Sequence, residues 1–237
     1  AAIFPTGSGK SLCYQLPALL LPHLTLVVSP LLALMQDQLA FLQRHGIAAA
    51  SIDSAQSRED ASAVMARAKA GELKILMISV ERLKNERFRN FLQQVPISLL
   101  VVDEAHCISE WGHNFRPDYL KLPDYQRQFN IPQALLLTAT ATPKVIADME
   151  AKFAIAPEDV VTTGFYRPNL NLLVEPVRGA DKRRRLVEWM SARPGQPSIV
   201  YVTLQKTAEH IAEHLVRNGI QAEAYHAGLP HDQREAI

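Results

Sequence analysis

The sequence predicts an α/β protein in which helices cover both faces of a parallel sheet. Short apolar runs rich in β-branched residues alternate with amphipathic helical runs. The apolar runs are continuous, as expected for strands that are buried on both faces. The clearest strand runs are 24–28, 74–78, 97–102 and 134–137, and the clearest helical runs are 32–45, 81–93 and 144–153. This order is that of successive βαβ units, which build a parallel sheet.

A change of pattern divides the chain into two predicted domains, 1–163 and 164–237. Pro157, Gly164 and Pro168 lie close together where the periodicity weakens. In the second domain, strands are expected at 170–177, 198–202 and 221–225, and helices at 182–190 and 208–218. Because so few strands make a thin core, we expect this second domain to be truncated. We also expect the first domain to be clipped, since Ala1 falls inside its first strand.

Composition restricts the possible partners. The chain has 237 residues, 48% hydrophobic and 21% charged, so it can bury a core. No apolar run reaches the 18 or so residues that span a bilayer, and we expect no membrane partner. The net charge of +1 indicates that any nucleic acid binds in local grooves. Cys13 and Cys107 lie far apart, which favours a cytoplasmic protein and excludes a four-cysteine zinc site. If the protein is bacterial and binds DNA, we expect it to be associated with the nucleoid.

The segment FPTGSGKS, residues 4–11, has the composition of a phosphate-binding turn. Gly7 and Gly9 permit backbone angles that point several N–H groups at an anion on a helix N-terminus. Lys10 supplies a positive charge, and Ser11 supplies a hydroxyl for Mg²⁺. The expected nucleotide-binding residues are Thr6, Gly7, Ser8, Gly9, Lys10 and Ser11. Phe4 stands where the general pattern has glycine, so an ordinary strand-to-helix turn with a solvated lysine is the alternative.

An acidic pair, Asp103 and Glu104, follows the apolar run 97–102. The carboxyl end of a buried strand is where an open α/β sheet places its ligand. Asp103 is suited to hold Mg²⁺, and Glu104 is suited to deprotonate a water aimed at a γ-phosphate. Acidic residues are also favoured at a helix N-terminus, which is the structural alternative. Together with the turn at 4–11, the pair favours ATP hydrolysis.

The sequence resembles the RecQ family of superfamily 2 DNA helicases. The residues that carry the resemblance extend over almost the whole chain and occur in the family's order. They are PTGSGKSLCYQLPAL (5–19), VVSPLLALMQDQ (27–38), SVERL (79–83), DEAHCISEWGHNFRPDY (103–119), TATAT (138–142), FYRPNL (165–170) and AYHAGL (224–229). The stretch after DEAH is the most specific of these.

The resemblance implies two RecA-like domains with ATP and Mg²⁺ between them. It implies 3′-to-5′ translocation on single-stranded DNA and unwinding of partially duplex DNA in repair and recombination. The implied catalytic residues are Lys10, Asp103, Glu104 and His106, with Ser11 and Asp103 holding Mg²⁺. The 237 residues alone are not expected to unwind a duplex.

The segment after DEAH mixes aromatic and cationic side chains, which suits stacking on bases and contact with phosphate. The resemblance implies that Trp111, Phe115 and Arg116 couple DNA binding to hydrolysis, with His113 and Tyr119 in the same segment. Packing of these aromatics into the core is the alternative. Glu110 and Asn114 depart from the family's usual glutamine and aspartate.

Three further residues at strand ends, Ser29, Thr138 and Thr140, are expected on the DNA side, although threonine and serine also suit turns and helix caps. Two other functions compete with a DNA helicase. One is a non-catalytic DNA-binding module with a vestigial ATP site. The other is an RNA helicase of the DEAH type.

Overall fold

A computed structural model describes residues 1–53, 56–112 and 114–237 and divides them into two compact units, Ala1–Asn169 and Leu170–Ile237. The N-terminal unit contains a seven-stranded parallel sheet with the order β3-β4-β2-β5-β6-β1-β7. The strands are β1 (Ala2–Ile3), β2 (Leu24–Val28), β3 (Ala49–Ile52), β4 (Ile75–Ile78), β5 (Ile97–Val102), β6 (Gln133–Thr138) and β7 (Val161–Thr162). The helices are α1 (Leu12–Leu20), α2 (Leu32–Arg44), α3 (Arg58–Lys69), α4 (Glu86–Leu92), α5 (Leu122–Gln128) and α6 (Pro143–Phe153). The predicted domain boundary after residue 163 stays a prediction.

The central strands are buried on both faces, which confirms the predicted parallel sheet. All residues of β2, β4 and β5 are buried. Successive side chains of a strand point to opposite faces, so Leu26 and Val28 enter one apolar core and Val27 enters the other. The continuous apolar runs in the sequence arise from this two-sided burial.

Two helix starts show how local chemistry sets the elements. Ser57 caps α3, because its Oγ accepts a hydrogen bond of 3.1 Å from the Asp60 N–H. The predicted single helix over 81–93 is wrong. A 3-10 turn, Val80–Lys84, ends at Asn85, which has an extended backbone. The Asn85 side chain then caps a separate helix, α4, because its Oδ1 accepts a hydrogen bond of 3.0 Å from the Phe88 N–H.

β3 is absent from the sequence-based prediction, since its sequence AASI has little β-branched character.

The C-terminal unit contains the helices α7 (Lys182–Ser191), α8 (Gln205–Arg217) and α9 (His231–Ala236). The first two confirm the predicted helices. The predicted strands at 170–177, 198–202 and 221–225 are wrong, because no sheet pairing occurs in the described part of this unit. Their side chains are largely exposed, for example Val174 at 96% and Ile199 at 80%. An apolar, β-branched run forms a strand only where a neighbouring strand pairs with it.

Within the described residues, neither unit has a helix of the length and hydropathy that a membrane span requires.

Candidate active site at the carboxyl edge of the sheet

Four strands of the sheet end at a common edge, and a polar segment follows each of them. These segments are the turn 4–11 after β1, Ser29 after β2, Asp103 after β5 and Thr138 at the end of β6. Backbone hydrogen bonds continue just past the strands. The Phe4 N–H donates to the Thr138 carbonyl at 3.1 Å, and the Asp103 N–H donates to the Val28 carbonyl at 2.9 Å. The parallel sheet therefore brings together segments that are far apart in the sequence.

The turn after β1 depends on two glycines in the left-handed region. Gly7 has a φ of +83° and Gly9 has a φ of +82°, angles that side chains with a Cβ rarely adopt. The Leu12 N–H then donates to the Gly9 carbonyl at 2.9 Å, and α1 begins. Thr6, Gly7, Ser8 and Gly9 are exposed, and Lys10 and Ser11 are half-buried. The six predicted nucleotide-binding residues thus form one accessible turn in front of a helix N-terminus.

Lys10 contacts the turn itself. Its Nζ donates to the carbonyls of Phe4 at 3.1 Å and Pro5 at 3.2 Å. The ammonium therefore lies at the base of the turn, where an anion could replace these two carbonyls as its acceptor. Glycines with positive φ, an ammonium and the Ser11 hydroxyl make a donor set that fits a phosphate chain with a hard cation.

Asp103 lies at the centre of the edge. Its carboxylate accepts hydrogen bonds from the Ser29 hydroxyl at 3.3 Å and from the Glu104 N–H at 3.0 Å. Burial, and then the negative charge of Glu104, raise the pKa of Asp103, and the positive charge of Lys10 opposes that rise. A half-buried carboxylate with an adjacent carboxylate is suited to bind a divalent cation, which would favour its charged form.

Glu104 and His106 form a second charged pair beside Asp103. Glu104 has a φ of +50°, in the left-handed region, and its Oε2 lies 3.2 Å from the His106 Nδ1. The neighbouring Cys107 side chain and the Glu104 carboxylate raise the pKa of His106 to about 9, although burial opposes this. His106 is itself buried, at 4% exposure, and the raised pKa favours its protonated form at neutral pH.

A hydrogen-bond chain connects the DEAH residues to the threonine motif. The His106 Nδ1 lies 2.9 Å from the Thr138 Oγ1, which donates to the Thr140 carbonyl at 3.1 Å and accepts the Thr140 N–H at 3.2 Å. Thr138 and Ser29 are both buried, at 1% and 3% exposure. Their hydroxyls face the carboxylate site in this structure, and their predicted contacts with DNA stay predictions.

The aromatic segment is divided between core and surface. Tyr119 is buried, as the packing alternative requires, and its hydroxyl donates to the Asp103 carbonyl at 3.4 Å. Trp111 is 66% exposed, and Phe115 and Arg116 are half-buried. The Arg116 N–H donates to the Cys107 carbonyl at 3.0 Å, and its guanidinium lies 3.6 Å from Glu81. His113 lies outside the described residues.

Sequence patterns missed the residues that hold this segment in place. Ser109 donates to Asp148 at 2.5 Å, and the Lys144 Nζ lies 4.2 Å from the centroid of the Trp111 ring. Gly112 is also constrained, since a Cβ at this position would lie 2.4 Å from the His106 carbonyl oxygen. A glycine directly after Trp111 is a local sign of close backbone packing. The other contacts join separate elements and leave no periodic trace.

The glycine turn after β1, with the acidic pair after β5 of a parallel sheet, defines a nucleotide-binding protein of the P-loop class. The model of the DEAD/DEAH box helicase family matches residues 1–149. The chain belongs to this family.

Comparison with individual proteins confirms the resemblance to RecQ helicases. The chain is 42% identical over 236 residues to the ATP-dependent DNA helicase RecQ of Bacillus subtilis (strain 168), covering 99% of the chain and 40% of the relative. It is 38% identical over 236 residues to the RecQ of Pasteurella multocida (strain Pm70), with coverage of 99% and 37%. The chain therefore spans about 40% of the length of these relatives.

A solved structure supports the same fold. Mycobacterium smegmatis helicase Lhr, determined bound to ssDNA and AMP-PNP, superposes with a TM-score of 0.61 at 21% identity, covering 99% of this chain and 35% of Lhr. At this identity the likeness shows the fold alone.

Proposed function

We propose that this chain is the motor core of an ATP-dependent DNA helicase that moves 3′ to 5′ along single-stranded DNA. The observation that carries the proposal is the meeting of the glycine turn, Lys10 and the Asp103–Glu104 pair at one edge of the sheet. The similarity to proteins named RecQ DNA helicases supports DNA as the substrate over RNA. Unwinding of partially duplex DNA, a role in repair or recombination, and a cytoplasmic location stay predictions.

Each residue of the turn has a distinct part in this proposal. Lys10 would exchange the Phe4 and Pro5 carbonyls for oxygens of the β- and γ-phosphates. Ser11 and Asp103 would hold Mg²⁺, and the backbone N–H groups of 6–9 would surround the phosphates. ATP with Mg²⁺ supplies the phosphoanhydride bond and the cation that offsets its charge.

Glu104 is the proposed general base, and His106 is the link from hydrolysis to DNA. The Glu104 carboxylate would orient a water molecule and accept its proton, and the neighbouring His106 ring would hold the carboxylate in place. The imidazole also contacts Thr138, at the start of the segment that leads into α6. In this proposal, a change at the carboxylates would reach the surface around Trp111 through His106, Thr138 and the start of α6.

The vestigial-site alternative is weaker, because Lys10, Asp103 and Glu104 are all present and lie at the same edge. The test is ATP hydrolysis by the protein at its full natural length, titrated with single-stranded DNA, duplex DNA and RNA. Hydrolysis should rise with single-stranded DNA, and Lys10→Ala should reduce it to the background rate. Lys152→Ala, an exposed lysine on α6, is the matched control and should retain the wild-type rate.

Two results would contradict the proposal. DNA-stimulated hydrolysis that survives in Lys10→Ala would remove the turn from the mechanism. Equal stimulation by RNA and DNA would instead favour the RNA helicase.

A further inference from the structure

One face of α6 contacts the segment that carries Trp111. Lys144 and Asp148 are four residues apart on this helix, so their side chains lie on the same face. The Lys144 ammonium lies 4.2 Å from the centroid of the Trp111 ring. The Asp148 carboxylate accepts a hydrogen bond of 2.5 Å from the Ser109 hydroxyl. A single helix therefore contacts both Trp111 and the residue two positions before it.

The Lys144 contact leaves most of the Trp111 ring accessible. A cation at 4.2 Å from the centroid is within the range of a cation–π interaction and occupies one face of the indole. Because the residue is still 66% exposed, much of its surface faces solvent. A flat aromatic surface of this kind is what a base needs for stacking, and stacking does not depend on base identity.

Ser109 fixes the backbone beside this ring. Its hydroxyl donates to Asp148 and accepts the Trp111 N–H at 3.2 Å. Ser109 is fully buried, so water does not compete for its hydroxyl. A hydrogen bond to a carboxylate in such a place is stronger than one between neutral groups. Asp148 thus positions the Trp111 main chain, while Lys144 positions its side chain.

The same part of the chain also contacts the buried carboxylate site. Thr138, which contacts His106, is four residues before Thr142, and Thr142 caps α6 by accepting the Val145 N–H. Only residues 139–142 separate the end of β6 from the start of α6. Displacement of this connection would move Lys144 and Asp148 together.

We infer that Lys144 and Asp148 are positioning residues that hold Trp111 with one ring face open to a base of single-stranded DNA. This inference rests on the proposed function for its ligand, and on the contacts of Trp111 for its geometry. It predicts that the loss of Lys144 weakens DNA binding by freeing the ring. A direct contact between Lys144 and phosphate is the competing explanation.

The first experiment tests the geometry without DNA. Trp111 and Trp189 are the two tryptophans of these 237 residues, so in this chain Trp189→Phe leaves Trp111 as the sole tryptophan emitter. In this background, Lys144→Met should change the emission of Trp111 and lower its fluorescence anisotropy. Lys144→Arg should restore both, since a guanidinium also binds an aromatic face. Lys152→Met, with the same charge change on α6, should have no effect. An unchanged emission and anisotropy in Lys144→Met would overturn the inference.

Asp148 provides a second variant pair. Asp148→Ala removes the acceptor of the Ser109 hydroxyl and should also lower the anisotropy of Trp111. Asp148→Asn keeps an acceptor oxygen and should have a smaller effect. Equal effects of these two variants would show that the hydrogen bond does not position Trp111.

The second experiment tests the ligand. In the protein at its full natural length, Lys144→Met should raise the concentration of single-stranded DNA needed for half-maximal hydrolysis by about two- to fivefold, the ratio that an exposed cation–π contact represents. The rate at saturating DNA and the salt dependence should stay at wild-type values. A loss of about one unit in the salt slope would identify a phosphate contact and overturn the inference. An absence of DNA stimulation in the wild type would instead contradict the proposed function, and the fluorescence measurements would still test whether α6 fixes Trp111.

Discussion

Gly112→Ala tests whether the packing of the aromatic segment controls the site. A Cβ at residue 112 would lie 2.4 Å from the His106 carbonyl oxygen and 3.1 Å from the Ser109 carbonyl oxygen. Both obstacles are backbone atoms, so no side-chain rotation relieves the clash. Ordinary van der Waals contact begins near 3.4 Å, and the backbone must therefore move by about 1 Å. Since the closest obstacle is the His106 carbonyl, we expect this displacement to shift the His106 backbone.

The cost of this displacement can be estimated from overpacked cores. Forced backbone shifts of this kind destabilise proteins by about 1–3 kcal/mol. The effect on function should be larger, because a misplacement of about 1 Å can lower a rate by roughly 100-fold. We expect urea unfolding, followed by Trp111 emission in the Trp189→Phe background, to show a destabilisation in this range. DNA-stimulated hydrolysis should fall by at least about tenfold.

Gly179→Ala is the matched control. Among the described residues, a Cβ at position 179 meets nothing within 4 Å, and its φ lies outside the left-handed region. This substitution should leave the free energy of unfolding within about 0.5 kcal/mol of the wild type. Wild-type stability and DNA-stimulated hydrolysis in Gly112→Ala would refute the close approach of Gly112 and His106.

Three further predictions concern the site and its support. Trp111→Ala should reduce the stimulation of hydrolysis by single-stranded DNA while nucleotide binding persists, and normal stimulation would remove Trp111 from the mechanism. The pKa of His106 is raised to about 9 from an unfolded value near 6.5. Protonated His106 therefore contributes its full stabilisation of the folded state below about pH 6.5, and this contribution is lost as the pH rises through 9. In urea unfolding, the free energy of unfolding of the wild type should fall by up to about 3 kcal/mol over this pH range, and that of His106→Asn should not. Identical pH profiles of the two proteins would contradict this role of His106. Asn85→Ala should lower the free energy of unfolding by about 1 kcal/mol through loss of the cap to Phe88, whereas Asn85→Ser should retain most of it.

The sequence predicted the sheet better than it predicted the connections. Continuous apolar runs identify β2, β4 and β5, since burial on both faces imposes the same composition wherever it occurs. The same rule failed at 198–202, where apolar residues are present but no strand pairs with them. It also missed β3, whose small residues become a strand only through pairing with β4. Strand propensity needs a partner, and the partner is not a local property.

For the candidate site, local sequence patterns were enough to identify the chemical groups. A pair of glycines with a lysine, and an acidic pair after a strand, are local patterns that the phosphate and metal chemistry requires. Which of the aromatic residues face water depends on how the segment packs. Tyr119 packs beneath Asp103, while Trp111 remains exposed. Their spacing along the chain carries no such distinction.

The tertiary structure also decided what holds each group. Ser29 contacts Asp103 across 74 positions of sequence, and Ser109 reaches Asp148 across 39. Such contacts follow from the order of strands in the sheet and the packing of α6. Backbone preferences and side-chain periodicity act over a few residues, so they specify helices, turns and strand faces. Contacts between distant segments arise only after those elements have packed.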